Sequence, residues 1–338
     1  MKKVLVTGGL GYIGSHTVVA LDQSGYEVLI VDNLSNSEPE VLKGLNEIMD
    51  TIPDFIELDL LDKSAVAELF ATNKFDGVIH FAARKAVGES VEKPLLYYEN
   101  NLNGLIYLLQ NCVAHEVNNF IFSSSCTVYG EPDFLPIDES APLKKALSPY
   151  GNTKQIAEEI LHDVCQVSEL RTILLRYFNP IGAHDSALIG ELPKGIPQNL
   201  VPVITQTAAG LRQELSVYGN NYPTPDGSCI RDYIHVMDLA EAHVVALERL
   251  ITKELLEPVE IFNLGTGKGN SVLEVIKTFE DVTGLNLPYK IADRRKGDVI
   301  AVYADTTKAT EVLGWSTKRD LKSSLSSAWA WERRIRGI

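Results

Sequence analysis

The sequence predicts an α/β fold: a doubly wound parallel sheet with a smaller, discontinuous C-terminal lobe. Three observations lead there. Apolar strand-like runs alternate with helix-like segments through the first half. A glycine turn follows the first run and opens a helix. Past residue 180 the alternation loosens into polar, Gly/Pro-rich stretches.

"KVLVT" is the first buried strand. "YIGSHTVVALDQSG" spaces Ile13, Val18, Val19 and Leu21 at a helical period and stops at Gly25. "EVLIVD" is the second strand. A helix, the strand "DFIEL", the helix "SAVAELFATN" and the strand "GVIHFA" follow. A long helical stretch over roughly 91–116 leads into "NFIFSSS", and a helix over about 149–169 leads into "RTILLRYF". That makes about six strands before residue 180. Near-continuous apolar runs suit strands covered on both faces by crossover helices. Beyond them, "HDSALIGELPKGIPQN" and "GNNYPTPDGSCIRDY" read as loops over a site. "ELSVYG" and "EIFNLG" read as short strands, with helices near 200–210, 236–252, 271–283 and 321–335. The expected division is 1–180, to which strands near 230–265 return, and a smaller lobe over 181–338.

The 338 residues are 45% hydrophobic and 22% charged, enough for a large core in one or two domains. A net charge of −14 argues against duplex DNA or an anionic membrane as partner, since both select clustered Lys and Arg. Cys112, Cys126, Cys165 and Cys229 are scattered without CxxC spacing, so neither a metal site nor a disulfide framework is expected. "MKKVLVTGG" reads as a strand and not a signal peptide, and no apolar run reaches about 18 residues. A soluble cytoplasmic protein is the expectation.

"VTGGLGYIGS" places Gly8, Gly11 and Gly14 after a strand and into a helix. Glycines allow a tight turn and close approach of a pyrophosphate, which the free N–H groups of the helix N-terminus then hold. This is the Rossmann-type context for a dinucleotide. The second strand ends at Asp32. A carboxylate there accepts from a ribose 2′-hydroxyl and repels a 2′-phosphate, which selects NAD over NADP.

"SPYGNTK" sets Tyr150 and Lys154 one helical turn apart, after a strand ending in Ser123, Ser124 and Ser125. A Tyr/Lys pair alone commonly decorates a helix surface. Here it follows the carboxyl end of a sheet strand, where doubly wound folds bind ligands. Tyrosine is a poor base at neutral pH, because its pKa near 10 must fall by about 3 units, roughly 4 kcal/mol. Lys154 and the positive ring of NAD⁺ are suited to that task, with a strand-end serine bonding the reacting hydroxyl.

Further segments extend the pattern: "TGGLGYIGSHT", "DNLSNS", "YYENNLNG", "FSSSCTVYG", "LLRYFNPIGAH", "GIPQNLVP", "RDYIHVMDLA", "FNLGTGKGNSV" and "RRKGDV". Together they resemble the UDP-galactose/UDP-glucose 4-epimerases of the extended short-chain dehydrogenase/reductase superfamily, over residues 4 to about 305. The resemblance implies that Gly8, Gly11, Tyr12, Ile13 and Gly14 hold the NAD pyrophosphate. Asp32, Asn33, Leu34, Ser35, Asn36 and Ser37 line the adenosine, with Asp59 and Leu60 beside the adenine. Phe81, Ala82, Ala83 and Lys85 run under the nicotinamide half near Asn100, and Tyr177 and Phe178 close its side. Ser125, Tyr150 and Lys154 form the catalytic set. Asn179, Asn199 and Leu200 hold the diphosphate and sugar of the UDP-sugar; Ser216, Val217 and Tyr218 take the uracil. Arg231 and Arg295 clamp the phosphates, and Asp298 holds the uridine ribose. Tyr150 takes the 4-hydroxyl proton as hydride leaves C4, and the 4-keto sugar turns over before hydride returns. A homodimer is implied, with the helices over 91–116 and 149–169 pairing into a four-helix bundle.

In this family the position four residues after the Asp of "RRxGD" gates the sugar's 2-position. Without a gap it is Val302, a small residue, which implies acceptance of N-acetylated UDP-hexoses as well. Strand alternation sends the neighbouring Tyr303 to the other face. Packing in the core is the plainer role for Val302. Two positions depart from the pattern: Arg84, where an apolar residue is usual, and Cys126, expected as a buried thiol. His16 and His80 read as structural, His184 as a loop residue without a visible partner, and Trp329 and Trp331 as part of a packed C-terminal helix. A nucleotide-sugar 4,6-dehydratase is the rival activity, but it needs an Asp-Glu pair where this chain has Cys126 and Thr127. A catalytically silent NAD-binding protein is the rival from another class; it has no use for both Tyr150 and Lys154.

Overall fold

The structure is a computed structural model that describes residues 1–49, 52–295 and 298–338. Lys296 and Gly297 of "RRKGDV" lie outside the described residues. The six apolar runs of the first half become β1 (Lys3–Thr7), β2 (Glu27–Asp32), β3 (Asp54–Glu57), β4 (Gly77–His80), β5 (Asn119–Ser125) and β6 (Arg171–Tyr177). After β7 (Asn179–Ile181), β8 (Leu215–Tyr218) and β9 (Ile230–His235), the chain returns through β10 (Val259–Leu264) to lie beside β6. The central sheet has seven strands in the order β10-β6-β5-β4-β1-β2-β3, and all neighbours are parallel. The order reverses between β1 and β4, so the crevice between their carboxyl ends is the place where this topology binds a ligand.

Alternation along each strand feeds two cores. Val4 and Val6 of β1 join Ile30, Ile79, Ile121 and Ile173 under the helices Tyr12–Gln23 and Val236–Ile251. Leu5 faces the other way, with Leu29, Val78, Phe120 and Leu174, under Lys63–Thr72, Gly104–Ala114 and Pro149–Val167. Fully burying one such aliphatic side chain stabilises the fold by about 1.5–3 kcal/mol, so two covered faces account for the near-continuous apolar runs.

The remaining strands build a smaller unit. β9 pairs with β7, with β11 (Gly269–Ser271) and with β13 (Ala301–Val302). β8 pairs with β12 (Tyr289–Ala292). The helices Leu200–Ala208, Val272–Thr283 and Leu321–Arg336 pack around Ile204, Val275, Phe279 and Leu325. Trp329 stands edge-on to Phe279 at 5.8 Å, and the Trp331 indole donates to the Glu191 carbonyl at 2.9 Å.

Three expectations are corrected. The long helix over 91–116 is broken into Val87–Glu92, Pro94–Tyr98, a π-turn at Glu99–Asn103 and Gly104–Ala114. Pro94 has no N–H to continue the helix and restricts the residue before it. The stretch read as a loop over 219–233 ends inside β9. Of the two strands in 230–265, β10 alone enters the central sheet; β9 heads the smaller one.

Candidate active site

The glycine turn sits at the switch in strand order. Gly8 has φ +71°, and a Cβ added there would meet the Ala82 nitrogen at 2.7 Å. A Cβ on Gly14 would meet the Gly8 carbonyl oxygen at 2.2 Å. The turn is drawn tight by the Gly11 N–H donating to the Gly8 carbonyl at 3.0 Å. The helix Tyr12–Gln23 begins at Gly11 with no side chain capping it, which leaves its first N–H groups for an anion. The Tyr12 hydroxyl donates to the Gly182 carbonyl at 2.6 Å, tying this helix to the loop after β7.

Asp32 ends β2 at 8% exposure. Its carboxylate accepts from the Leu10 N–H at 3.1 Å, the Leu34 N–H at 3.0 Å and the Ser37 hydroxyl at 2.7 Å. Three bonds leave acceptor capacity on a carboxylate with about four lone-pair sites, enough for a ribose hydroxyl. Asn33 donates to Asp59 at 3.0 Å, and the Ser35 N–H returns to Asn33 at 3.1 Å. Asn36 follows in the same turn, and Leu60, 8% exposed, lies after Asp59. Phe81 leaves β4 and packs against His243 at 4.7 Å. A tight turn a Cβ would fill, an uncapped helix start and a partly committed carboxylate together fit a dinucleotide.

Tyr150 and Lys154 are both buried, on the helix Pro149–Val167 that begins at the Ser148 cap. The Lys154 ammonium donates to the Ser123 carbonyl at 2.6 Å and lies over the Phe122 ring at 4.6 Å. Burial pushes Lys154 down to about 8, against the pull of Glu158. Burial also raises Tyr150 above the usual phenol range, with Tyr177 adding to the rise and a hydrogen bond from Ser125 opposing it. The Tyr177 hydroxyl meets the Ser123 hydroxyl at 2.5 Å, and burial pushes Tyr177 up to about 12. Without a bound cation the pair holds a neutral phenol; the positive nicotinamide ring is the further charge that sequence reasoning called for. Asn101 fastens the helix to the loop after β4: it takes the Arg84 N–H at 2.8 Å and donates to the Thr153 hydroxyl at 3.1 Å. Asn100 donates to Asn101 at 3.0 Å.

Across the crevice the smaller unit offers Arg231, Arg295 and Asp298. Asp298 lies 3.9 Å from the Arg231 guanidinium and accepts from Arg295 at 2.9 Å. Arg295 stacks over Tyr218 of β8 at 4.8 Å, which brings Ser216, Val217 and Tyr218 to the same group. Asn199 precedes the helix Leu200–Ala208 and donates to Glu191 at 2.7 Å; Lys85 pairs with the same carboxylate at 3.6 Å. Val302 is 8% exposed, in a cluster with Phe178, Val128 and Ile137 against which Cys126 packs. Tyr303 turns to Gly269, where an added Cβ would meet its ring at 3.1 Å. The Cys126 thiol is pushed up to about 12 by burial, as an inert thiol requires.

Sequence reasoning missed several positioning residues. Glu191 links Lys85 with Asn199. Asp232, fully buried, accepts from the Thr266, Gly267 and Ala304 N–H groups at 2.8, 3.1 and 3.2 Å and so fastens the loop after β10 and the end of β13. Glu158 and Arg176 form a buried pair behind Lys154. Only Arg176 left a trace, as a charge inside the apolar run "RTILLRYF"; Glu191, Asp232 and Glu158 sit in polar stretches that gave no signal. Among the described residues no helix is long and apolar enough to cross a membrane, and no group of His, Cys, Asp and Glu side chains is placed to hold a metal ion.

Comparison with known proteins agrees with this geometry. Residues 4–265 match the model of the NAD dependent epimerase/dehydratase family. The UDP-glucose 4-epimerase of Bacillus subtilis is 52% identical over 330 residues, 97% of this chain and 96% of that protein. The crystal structure of the Stenotrophomonas maltophila UDP-glucose 4-epimerase with bound NAD and formylated UDP-arabinopyranose superposes with a TM-score of 0.96 at 46% identity, covering 100% of both chains. That of the Bifidobacterium longum UDP-glucose 4-epimerase with NAD⁺ and UDP gives 0.95 at 46% identity over 99% of each. This chain belongs to the NAD dependent epimerase/dehydratase family, among its UDP-glucose 4-epimerases.

Proposed function

We propose that this chain interconverts UDP-glucose and UDP-galactose by inverting C4 of the hexose, with Ser125, Tyr150 and Lys154 as its catalytic residues. The observation that carries this reading is the hydrogen bond of Lys154 to the Ser123 carbonyl, which seats the helix of buried Tyr150 and Lys154 at the carboxyl end of β5, where Ser125 ends the strand. Bound NAD supplies a hydride acceptor and then a hydride donor, so the sugar passes through a 4-keto stage without net redox. Gly8, Gly11, Tyr12, Ile13 and Gly14 hold the pyrophosphate, and Asp32 to Ser37 with Asp59 and Leu60 hold the adenosine. Phe81, Ala82, Ala83, Lys85, Asn100, Tyr177 and Phe178 surround the nicotinamide half. Tyr150 holds the proton of the 4-hydroxyl, Ser125 orients that hydroxyl, and Lys154 favours the phenolate. Arg231 and Arg295 neutralise the diphosphate, and Asp298 takes the ribose. Asn179, Asn199, Leu200 and Ser216 to Tyr218 complete the substrate contacts.

Val302 widens the space at the sugar's 2-position, and UDP-N-acetylglucosamine and UDP-N-acetylgalactosamine are substrates too. The support is its place beside Phe178 and Cys126, with Tyr303 turned away. The chain pairs with a second copy in the cytoplasm. Val91 and Leu95, 62% and 80% exposed before the helix Gly104–Ala114, are the apolar surface that suits a helical interface. Purified protein is mixed with UDP-galactose and the products are resolved by chromatography. UDP-glucose with no accumulated NADH supports the reading; a 4-keto-6-deoxy product assigns a dehydratase. Sedimentation as a monomer at micromolar concentration removes the dimer.

A further inference from the structure

Behind Lys154 lies a pair of opposite charges that stability alone does not explain. Glu158 and Arg176 are each 3% exposed. Arg176, on β6, forks onto Glu158 with contacts of 3.0 and 2.5 Å. Glu158 also accepts the Ser124 hydroxyl at 2.5 Å. Arg176 reaches the Tyr129 hydroxyl at 3.1 Å, and Tyr129 donates to Asn263 on β10 at 2.6 Å. A buried ion pair contributes little net stability, because desolvation offsets the attraction. Its position points to another use. Glu158 stands one helical turn after Lys154 and two after Tyr150. Its partner Ser124 sits between Ser123, whose carbonyl holds Lys154, and Ser125, which ends the same strand and lowers Tyr150 against the effect of burial. One carboxylate therefore touches both the helix and the strand end that carry the reaction centre.

We propose that Glu158, held by Arg176, is a positioning residue: it supplies the negative charge that keeps buried Lys154 an ammonium, and it fixes the strand end from which Ser123 and Ser125 address Lys154 and Tyr150. This rests on the reading of Tyr150 as proton acceptor and Lys154 as its tuning cation. The groups around Lys154 are few. Tyr150 and Glu158 share its helix; β4 presents His80, which burial keeps neutral; β5 presents the Ser123 carbonyl and the Phe122 ring; β6 presents Tyr177 and Arg176. Glu158 is the carboxylate in that set, and it acts on Lys154 against the effect of burial. The fork from Arg176 fixes the Glu158 carboxylate in place and stops it from swinging onto Lys154.

The test labels lysine Cε with ¹³C in the NAD-loaded protein, assigns Lys154 by its loss in Lys154→Arg, and follows its titration by NMR. In Glu158→Gln the Lys154 midpoint is expected to fall by about one unit or more. The alkaline limb of the kcat profile should fall with it while KM stays within about twofold, and Glu158→Asp should restore part of both. Glutamine leaves Arg176 buried without its counter-charge, so Glu158→Gln/Arg176→Met, which removes both charges, is titrated in parallel. An unmoved Lys154 midpoint in either folded variant overturns the proposal, even where Tm falls. Failure of both variants to fold assigns the pair to stability and overturns it as well. Wild type that does not epimerise UDP-galactose overturns instead the reading of Tyr150 and Lys154, and the lysine titration still decides the charge role of Glu158.

Discussion

Lys154 and Ser123, 31 residues apart, meet through a 2.6 Å hydrogen bond from ammonium to backbone carbonyl. The bond turns the lysine inward, under the strand end that also carries Ser125. A Lys154 placed this way acts on Tyr150 as a fixed charge and not as a mobile surface group.

Tyr150→Phe removes the proton acceptor and little else. The ring stays in its buried place, so the fold and NAD retention are expected to match wild type. Turnover should fall by about 10²–10⁴-fold, the usual contribution of a general base. Lys154→Met should raise the apparent kinetic pKa and weaken cofactor retention. Rates of UDP-galactose conversion and the dinucleotide released on denaturation measure both. A Phe variant within tenfold of wild type removes Tyr150 from the mechanism.

Val302→Tyr is expected to abolish conversion of the N-acetylated substrates while plain hexoses are retained. The added ring fills the space beside Phe178 and Cys126. The measurement is kcat/KM for UDP-N-acetylglucosamine and UDP-glucose in both proteins. Wild type that ignores the acetylated sugar, or a tyrosine variant that still turns it over, means that Val302 only packs.

Gly14→Ala tests the glycine turn. Its Cβ would lie 2.2 Å from the Gly8 carbonyl oxygen, a backbone atom that cannot rotate away. The helix or the turn must shift, at a cost of about 1–3 kcal/mol or more. Lower Tm and a protein purified without NAD are expected. Full NAD occupancy in the variant would show that the turn tolerates a methyl group and that close packing there is not what holds the cofactor.

Acid should unfold the protein through its histidines. Burial lowers His16 and His80 to about 3, and His235 and His243 to about 4. The unfolded chain titrates near 6.5. Between about 4 and 6.5 the unfolded state therefore binds more protons, and stability falls as pH falls through that window. Each group contributes a slope of up to about 1.4 kcal/mol per pH unit. Lys154 has the same sign in another window: lowered to about 8 in the fold, it makes stability rise as pH climbs from about 8 toward the ordinary lysine value of about 10.4. Urea unfolding at a series of pH values measures both. A flat profile between pH 7 and 5 would mean that these histidines take up protons in the folded protein just as they do in the unfolded chain.

The order of the strands and most of the helices, the glycine turn, Asp32 at the end of β2, and Tyr150 with Lys154 on one helical face were legible in the chain alone. These are local properties: hydrophobic periods of two and 3.6 residues, and spacings within one turn, are written in neighbouring residues. What lies across the strand order was settled by long-range packing. The return of β10 beside β6 brought Asn263 to Tyr129, 134 residues away. The pairing of β5 with β6 set Arg176 opposite Ser124, and the packing of the helix Pro149–Val167 brought Glu158 onto both. Packing of the smaller unit placed Glu191 on both Lys85 and Asn199, and Asp232 on the Thr266 and Ala304 N–H groups. A charge in an apolar run signals that some partner must exist, because burying it alone is costly. Which partner answers is settled by the sheet order and the return of the chain, and no local pattern encodes either.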